Sequence, residues 1–241
     1  MNNASFQSAI TLSYALMTHN EVVEFGWLIE ALKDALNEQS EIVVLDDFST
    51  SDMVELIKRY PVRFYQRALN KNFSAQRNVL KGLCRGEFVF LLDPDELPSP
   101  ELLKALPRLM EVMRQQKLDA ISMPRLNILV EGDAPVDART RPVSDTDLRN
   151  QKPDYMTRLL RNDPEIKWVN RVHERLVGVR RGGRLPNEVR YALLHCKTQS
   201  RYENQNRFYR SINLRYLDKW RKSIAKRLKL IKPTVWVDIK P

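Results

Sequence analysis

The chain has 241 residues, 43% apolar and 29% charged, with 40 Lys and Arg against 30 Asp and Glu for a formal charge of +10. That length fits one large domain or one domain with an appendage, and 7 Gly and 13 Pro exclude collagen-like and low-complexity classes. No apolar run reaches the roughly 18 residues of a membrane-spanning helix, and Met1-Asn2-Asn3-Ala4-Ser5 lacks the order of a secretion signal, so a soluble, cytoplasmic protein is expected.

From residue 10 to 130, short β-branched runs alternate with segments of helical period, which predicts an α/β fold on a mostly parallel sheet. Ile10 to Met17 reads as the first strand, followed by a helix whose stripe is Phe25, Leu28, Ile29, Leu32 and Leu36. Ile42-Val43-Val44-Leu45 is the second strand, and a short helix marked by Met53, Leu56 and Ile57 follows, capped by Ser49, Thr50 or Ser51. Val62 to Tyr65 is a third strand and Ser74 to Cys84 a third helix. Glu87 to Leu92, the most apolar segment, is the fourth strand. A helix from Glu101 to about Gln116 and a strand around Ala120 to Met123 complete this half.

Residues 131–154 read as a long loop, Tyr155–Arg161, Trp168–Val172 and Glu188–His195 as strand-like pieces, and Arg180-Arg181-Gly182-Gly183-Arg184 as a flexible basic turn. Tyr202 to Leu230 reads as a basic amphipathic helix closed by Pro233. The division is therefore an α/β half (1–130), an acceptor-side half of the same domain (131–200) and a basic helical tail (201–241). Charge follows that division. Residues 1–100 hold 9 Lys and Arg against 14 Asp and Glu, leaving 31 against 16 for the rest, and the tail holds 12 against 3. Cys84 and Cys196 are too few for a disulfide framework and read as small core residues.

Asn20-Glu21, Asp46-Asp47 and Asp93-Pro94-Asp95-Glu96 each fall at the end of a predicted strand. Ligands of open α/β sheets bind at that edge. Carboxylates crowded there repel one another unless a cation or hydrogen-bond donors compensate, which suggests a divalent metal and a diphosphate. Strand alternation would let Asp93 and Asp95 address one ligand. No glycine-rich phosphate loop or dinucleotide fingerprint offers another account.

Thr18-His19-Asn20-Glu21, Val44 to Thr50, Phe73-Ser74-Ala75-Gln76-Arg77-Asn78 and Gly86 to Glu96, in that order, resemble the signatures of family 2 glycosyltransferases with the GT-A fold. The proline within Asp93-Pro94-Asp95 departs mildly from the family's pattern. The resemblance implies that Asp46 or Asp47 accepts a hydrogen bond from the nucleotide base, that Thr18 and Glu21 line the nucleoside pocket, and that Arg77 helps hold the nucleotide. It implies that Asp93 faces the ribose and a Mn²⁺ or Mg²⁺ ion, that Asp95 binds that ion directly, and that His195 completes its ligands. The block from Trp168 to Glu174 resembles lipopolysaccharide-core and short phage-encoded members, which makes Glu174 the general base with His173 orienting it. The implied reaction moves a sugar from a nucleotide-sugar, UDP-sugar first, to a polyanionic acceptor. A hydroxymethylated pyrimidine in phage DNA is slightly favoured over a lipopolysaccharide or membrane-associated, lipid-linked glycan. A non-catalytic binding module and a nucleotidyltransferase are the readings from other classes.

Overall fold

A computed structural model describes residues 9–204, 207 and 234–241. The predicted helix of the tail begins within the described residues, where 199–204 and 207 are helical, and the remainder of it, with Leu214, Leu217, Ile224 and Leu228, lies outside them.

The first half follows the sequence reading closely. Strand β1 (Leu12–Thr18) leads into helix α1 (Val22–Lys33), then β2 (Ser40–Asp46), α2 (Ser51–Lys58), β3 (Arg63–Gln66), α3 (Phe73–Leu83) and β4 (Phe88–Leu92). These four strands are parallel, ordered β4-β1-β2-β3. Their side chains alternate between two faces, as the period of a pleated strand requires. Leu12, Tyr14, Leu16, Ile42, Val44, Phe88 and Phe90 pack with α1, α2 and the later helix α4 (Pro100–Gln115). Ala15, Val43, Leu45, Val89 and Leu91 pack on the other side with Leu80 of α3 and Cys84, which follows that helix. Each large apolar side chain buried this way contributes roughly 1.5–3 kcal/mol. Cys84 is the core residue the sequence implies, and burial pushes its thiol up to about 12.

A three-residue strand, β5 (Glu96–Pro98), precedes α4, which starts where Ser99 accepts the amide of Leu102 and Pro100 opens the first turn. The second half departs from expectation. Strand β6 runs from Ala120 to Val130, well past Met123, because its two ends find different partners. Its start lies between β7 (Tyr155–Arg161) and β10 (Arg181–Arg184), and its end pairs with β11 (Leu193–Thr198), which in turn pairs with β5. The expected loop 131–154 contains a 3₁₀ turn at Ala138–Thr140 and a short helix, α5 (Asp145–Arg149), fixed by a capping box between Ser144 and Asp147. Lys167–Val169 (β8) and Arg175–Val177 (β9) form a separate hairpin.

The expected flexible turn at Arg180–Arg184 is instead a strand of the main sheet. Its glycines are what let it pack. A Cβ on Gly182 would meet the Trp236 ring at 2.5 Å, and one on Gly183 would meet Leu118 at 2.9 Å. Trp236 belongs to β12 (Val235–Asp238), which pairs with β10 and was not expected. The sheet order is β12-β10-β6-β7-β4-β1-β2-β3, with only β7 antiparallel along that path. This is the α/β, mostly parallel architecture expected of the GT-A fold.

Gly86 sits where α3 turns into β4, and a Cβ there would meet backbone atoms of Ser13 at 2.6 Å and Phe88 at 2.7 Å. Gly86→Ala should therefore lower unfolding free energy by about 1–3 kcal/mol, measured by urea titration against Gly82→Ala, whose Cβ position is open.

Candidate active site at the carboxyl ends of the strands

Chain direction puts the ends of β1, β2, β3 and β4 on one edge, and Asp46 ties three of them together. It is fully buried. Its Oδ1 accepts the hydroxyl of Thr18 at 3.0 Å and that of Ser49, and its Oδ2 accepts the Ser49 amide at 2.9 Å and the Gln66 carboxamide at 3.0 Å. Asp47 is differently placed. Its Oδ1 accepts the Leu69 amide at 2.8 Å, while Oδ2 lies 3.9 Å from His19 on a partly exposed side chain. Asp46 thus spends its lone pairs on the fold, and Asp47 keeps accepting capacity toward solvent. Asn20, in the left-handed region at φ 65°, closes the loop by accepting the Thr50 amide at 2.8 Å.

Residues 93–95 leave the strand as a turn in which the Glu96 amide donates to the Asp93 carbonyl at 2.9 Å. Strand alternation therefore stops before the Asp-x-Asp, and its carboxylates take separate partners. Asp93 Oδ2 receives Arg158 of β7 at 2.6 Å and Arg77 of α3 at 3.2 Å. Burial raises its affinity for a proton, but the two guanidinium groups outweigh it and hold the carboxyl far below the usual range. Its Oδ1 is buried with no hydrogen-bond partner among the described residues.

Asp95 Oδ2 lies 3.4 Å from His195 Nε2, 3.5 Å from Lys197 Nζ and 3.7 Å from Arg201 Nη2. Burial again pushes its pKa up, and these three neighbours more than reverse that. His195 Nδ1 sits 2.7 Å from Asn127 Oδ1, and Nε2 is turned toward Asp95. Arg201 also pairs with Glu24 and, at 3.3 Å, with Glu21. Burial drives the Glu21 pKa up to about 7, against the His19 amide and Arg201.

Glu174 reaches the same edge from the other side of the chain. Its Oε1 accepts Arg77 Nε at 3.1 Å, so one guanidinium joins Glu174 to Asp93. The loop that carries Glu174 is fastened to α3. Asn78 donates to the Trp168 carbonyl at 2.9 Å and accepts its amide at 2.9 Å, and the Phe73 amide donates to the Arg171 carbonyl at 2.9 Å. Asn170 and His173 take φ 77° and 51° in the turn between, with His173 exposed.

Sequence reasoning missed the groups that join these pieces. Arg158, 4% exposed, also lies 2.5 Å from the fully buried Glu96, and Arg125 bridges Glu96 at 3.0 Å to Asp154 at 2.7 Å. Asp154 accepts Asn127 at 3.0 Å, which leads back to His195. The available signal was an arginine inside the apolar strand run Tyr155–Arg161, a position charge occupies only when paired.

Among the described residues no three of His, Cys, Asp and Glu gather closely enough to enclose a metal ion unaided. Asp95 and His195 nevertheless match the donor chemistry of Mn²⁺ or Mg²⁺, with an oriented imidazole beside a carboxylate. The partnerless Asp93 Oδ1 is a further oxygen donor, and Mg²⁺ characteristically takes few protein carboxylates and completes its shell with phosphate oxygens and water.

The sequence model described as glycosyl transferase family 2 matches residues 13–173, which include the carboxyl ends of β1 to β4 and the loop up to His173. The chain belongs to glycosyl transferase family 2. Among curated relatives of this family 2 chain, it is 28% identical over 116 residues to the SPbeta prophage-derived glycosyltransferase SunS of Bacillus subtilis, covering 47% of this chain and 27% of that protein. It is 32% identical over 104 residues to the undecaprenyl-phosphate 4-deoxy-4-formamido-L-arabinose transferase of Pseudomonas savastanoi, covering 41% of this chain and 30% of that one. The matches thus span less than a third of either relative's length. A crystal structure of S. aureus TarS in complex with UDP aligns with a TM-score of 0.45 at 19% identity, covering 66% of this chain and 50% of that one.

Arg158→Met removes the cation shared by Asp93 and Glu96, so it should cost about 3–5 kcal/mol of stability near neutral pH, read by urea denaturation. Glu21 gives a pH dependence of the opposite sense to most carboxylates. Its folded pKa of about 7 exceeds the ordinary 4.5, so between these values the folded state binds more protons than the unfolded. Stability from this group is full below about 4.5 and falls as pH rises through about 7. Glu21→Gln should flatten that part of the stability profile, measured as Tm against pH.

Proposed function

We propose that the chain is an inverting glycosyltransferase that moves a sugar from a nucleotide-sugar to an acceptor hydroxyl. The observation that carries the reading is Arg77, which holds Glu174 at 3.1 Å and Asp93 at 3.2 Å and so brings a candidate base beside the strand-end carboxylates. Family membership and the conjunction of nucleotide-edge loops with that base support it.

Thr18, Glu21 and Asp47 line the nucleoside side of the pocket. Asp47 accepts the hydrogen bond of the base, because Asp46 is consumed by Thr18, Ser49 and Gln66. Asp93 faces the ribose, and Arg77 supports the diphosphate. Asp95 and His195 would hold Mn²⁺ or Mg²⁺ together with Asp93. The chemistry such an ion supplies is neutralisation of the departing nucleoside diphosphate. The acceptor oxygen forms a bond to the anomeric carbon while the bond from that carbon to the diphosphate oxygen breaks. Glu174 takes the hydroxyl proton, and His173, in the same turn, orients it or the acceptor. A UDP-sugar is the first donor to test.

The acceptor is a hydroxyl on an anionic molecule, with a hydroxymethylated pyrimidine in DNA and a lipopolysaccharide or lipid-linked glycan as the two candidates. Labelled UDP-sugars offered with deacylated lipopolysaccharide and with hydroxymethylated DNA separate them: label in DNA alone assigns the first, and label in the glycan alone the second.

Glu174→Gln should lower kcat by about 10²–10⁴-fold with little change in donor KM, as loss of a general base requires. Asp95→Ala should abolish the response of turnover to added Mn²⁺, and a variant with unaltered activity would remove Asp95 from the site.

A further inference from the structure

We propose that the sheet edge opposite the candidate active site is a docking surface for an anionic lipid bilayer. Strands β6, β10 and β12 run in the same direction as β4, because β7 is antiparallel to both β4 and β6. Their first residues therefore lie at the edge away from Asp46, Asp93 and Asp95. An open cleft of about 550 Å³ occurs there, lined by Arg114, Lys117, Asp119, Arg161, Arg180 and Arg181.

Five of these six side chains are cationic, and their local compensation is incomplete. Arg114 and Arg161 share Glu87, at 2.7 and 3.4 Å, and Arg114 also lies 3.5 Å from Glu111. Asp119 spends Oδ2 on the backbone amides of Arg180 and Arg181, at 2.8 and 3.2 Å, and lies 3.6 Å from the Arg180 side chain. That side chain is 74% exposed, and Lys117 and Arg181 are exposed too. Anionic headgroups attract such clusters, and each cation near the surface adds to the attraction.

An apolar component beside the cations selects a bilayer over a nucleic acid. Val235 is 58% exposed and Trp236 38% exposed, at the start of the outermost strand. The Val235 amide donates to the Arg180 carbonyl at 3.0 Å, so this pair is bound directly to the basic cleft. Tryptophan is enriched at membrane interfaces because its ring is apolar with one polar tip. An exposed valine gains by entering the acyl boundary and gains little beside a phosphate backbone. The sequence that leads into β12 has the same character. Residues 201–241 carry 12 Lys and Arg against 3 Asp and Glu, with Leu214, Leu217, Ile224, Leu228 and Ile231 at helical spacing. Thr234, where the described chain resumes, donates to the Val179 carbonyl at 2.8 Å at this edge.

The test is sedimentation of the full chain with phosphatidylglycerol–phosphatidylcholine vesicles and with phosphatidylcholine alone. Binding is expected only to the anionic vesicles. The triple variant Lys117→Glu, Arg180→Glu, Arg181→Glu should partition about tenfold or more less well in physiological salt, and the exposed Val235→Asp should weaken binding as well. Circular dichroism and turnover of donor with a soluble acceptor are expected unchanged in both. Equal binding of the triple variant and the parent overturns the proposal, since the tail would then act without the cleft. Binding to duplex DNA with no binding to vesicles overturns it in favour of a nucleic-acid surface. Vesicle partition is read without glycosyl transfer, so this result stands apart from the catalytic assignment.

Discussion

The carboxylate of Asp93, shared between Arg77 and Arg158, is the interaction on which the site's geometry rests. Parallel strands that end in acids set negative charges side by side at one edge, in a place partly shielded from water. Such a cluster is tolerable only if cations sit within a few ångströms, because desolvation otherwise drives the acids to bind protons. Here the compensating cations come mostly from the later half of the chain. Arg158 lies on β7, Lys197 on β11 and Arg201 just beyond it, while Arg77 comes from α3. Charge balance thus dictates that the two halves fold against each other as one unit.

The consequence is a single polar chain around the edge. It runs from Glu174 through Arg77, Asp93, Arg158, Glu96 and Arg125 to Asp154, and back through Asn127 and His195 to Asp95 and Arg201. Each carboxylate of the Asp-x-Asp is held by a different arm of it. The base candidate and the Asp93 arm share one guanidinium, so the position of Glu174 is set by the same group that holds Asp93. Asn78 adds a rigid backbone tie between α3 and the hairpin beneath Glu174. Precision of this kind costs the chain several buried ions, and it fastens the loop of Glu174 and the turn of Asp93 and Asp95 to α3, β7 and β11.

Local pattern revealed the first half and lost reliability where partners came from far away. The short apolar runs of β1, β2 and β4 and the stripe of α1 are local signals, and the acids at the strand ends were visible for that reason. The end of β6, from Arg125 onward, by contrast contains exposed positions, and β11 returning beside it holds it as a strand. Gly182 and Gly183 look like a turn in the sequence, since glycine is the usual turn residue. They are strand residues here because Trp236 and Ile239, over fifty positions later, need the space a side chain would fill. Arg158 and Asn127 carry no motif, and their importance follows from pairing with Glu96, Asp93 and His195 across long sequence separations.

The overall charge takes on a different meaning in three dimensions. Among the described residues, cations that follow residue 100 gather at two edges of one sheet. One group is internal, where Arg158, Lys197 and Arg201 neutralise acids of the first half and are occupied with holding the site together. Another, at Lys117, Arg180 and Arg181, sits at the opposite ends of the strands beside Val235 and Trp236. A five-residue strand such as β4 spans about 17 Å, so the two groups of cations are too far apart to grip one small anion. An acceptor that touches both must be extended, and one that touches the site alone leaves the opposite edge free for a separate contact.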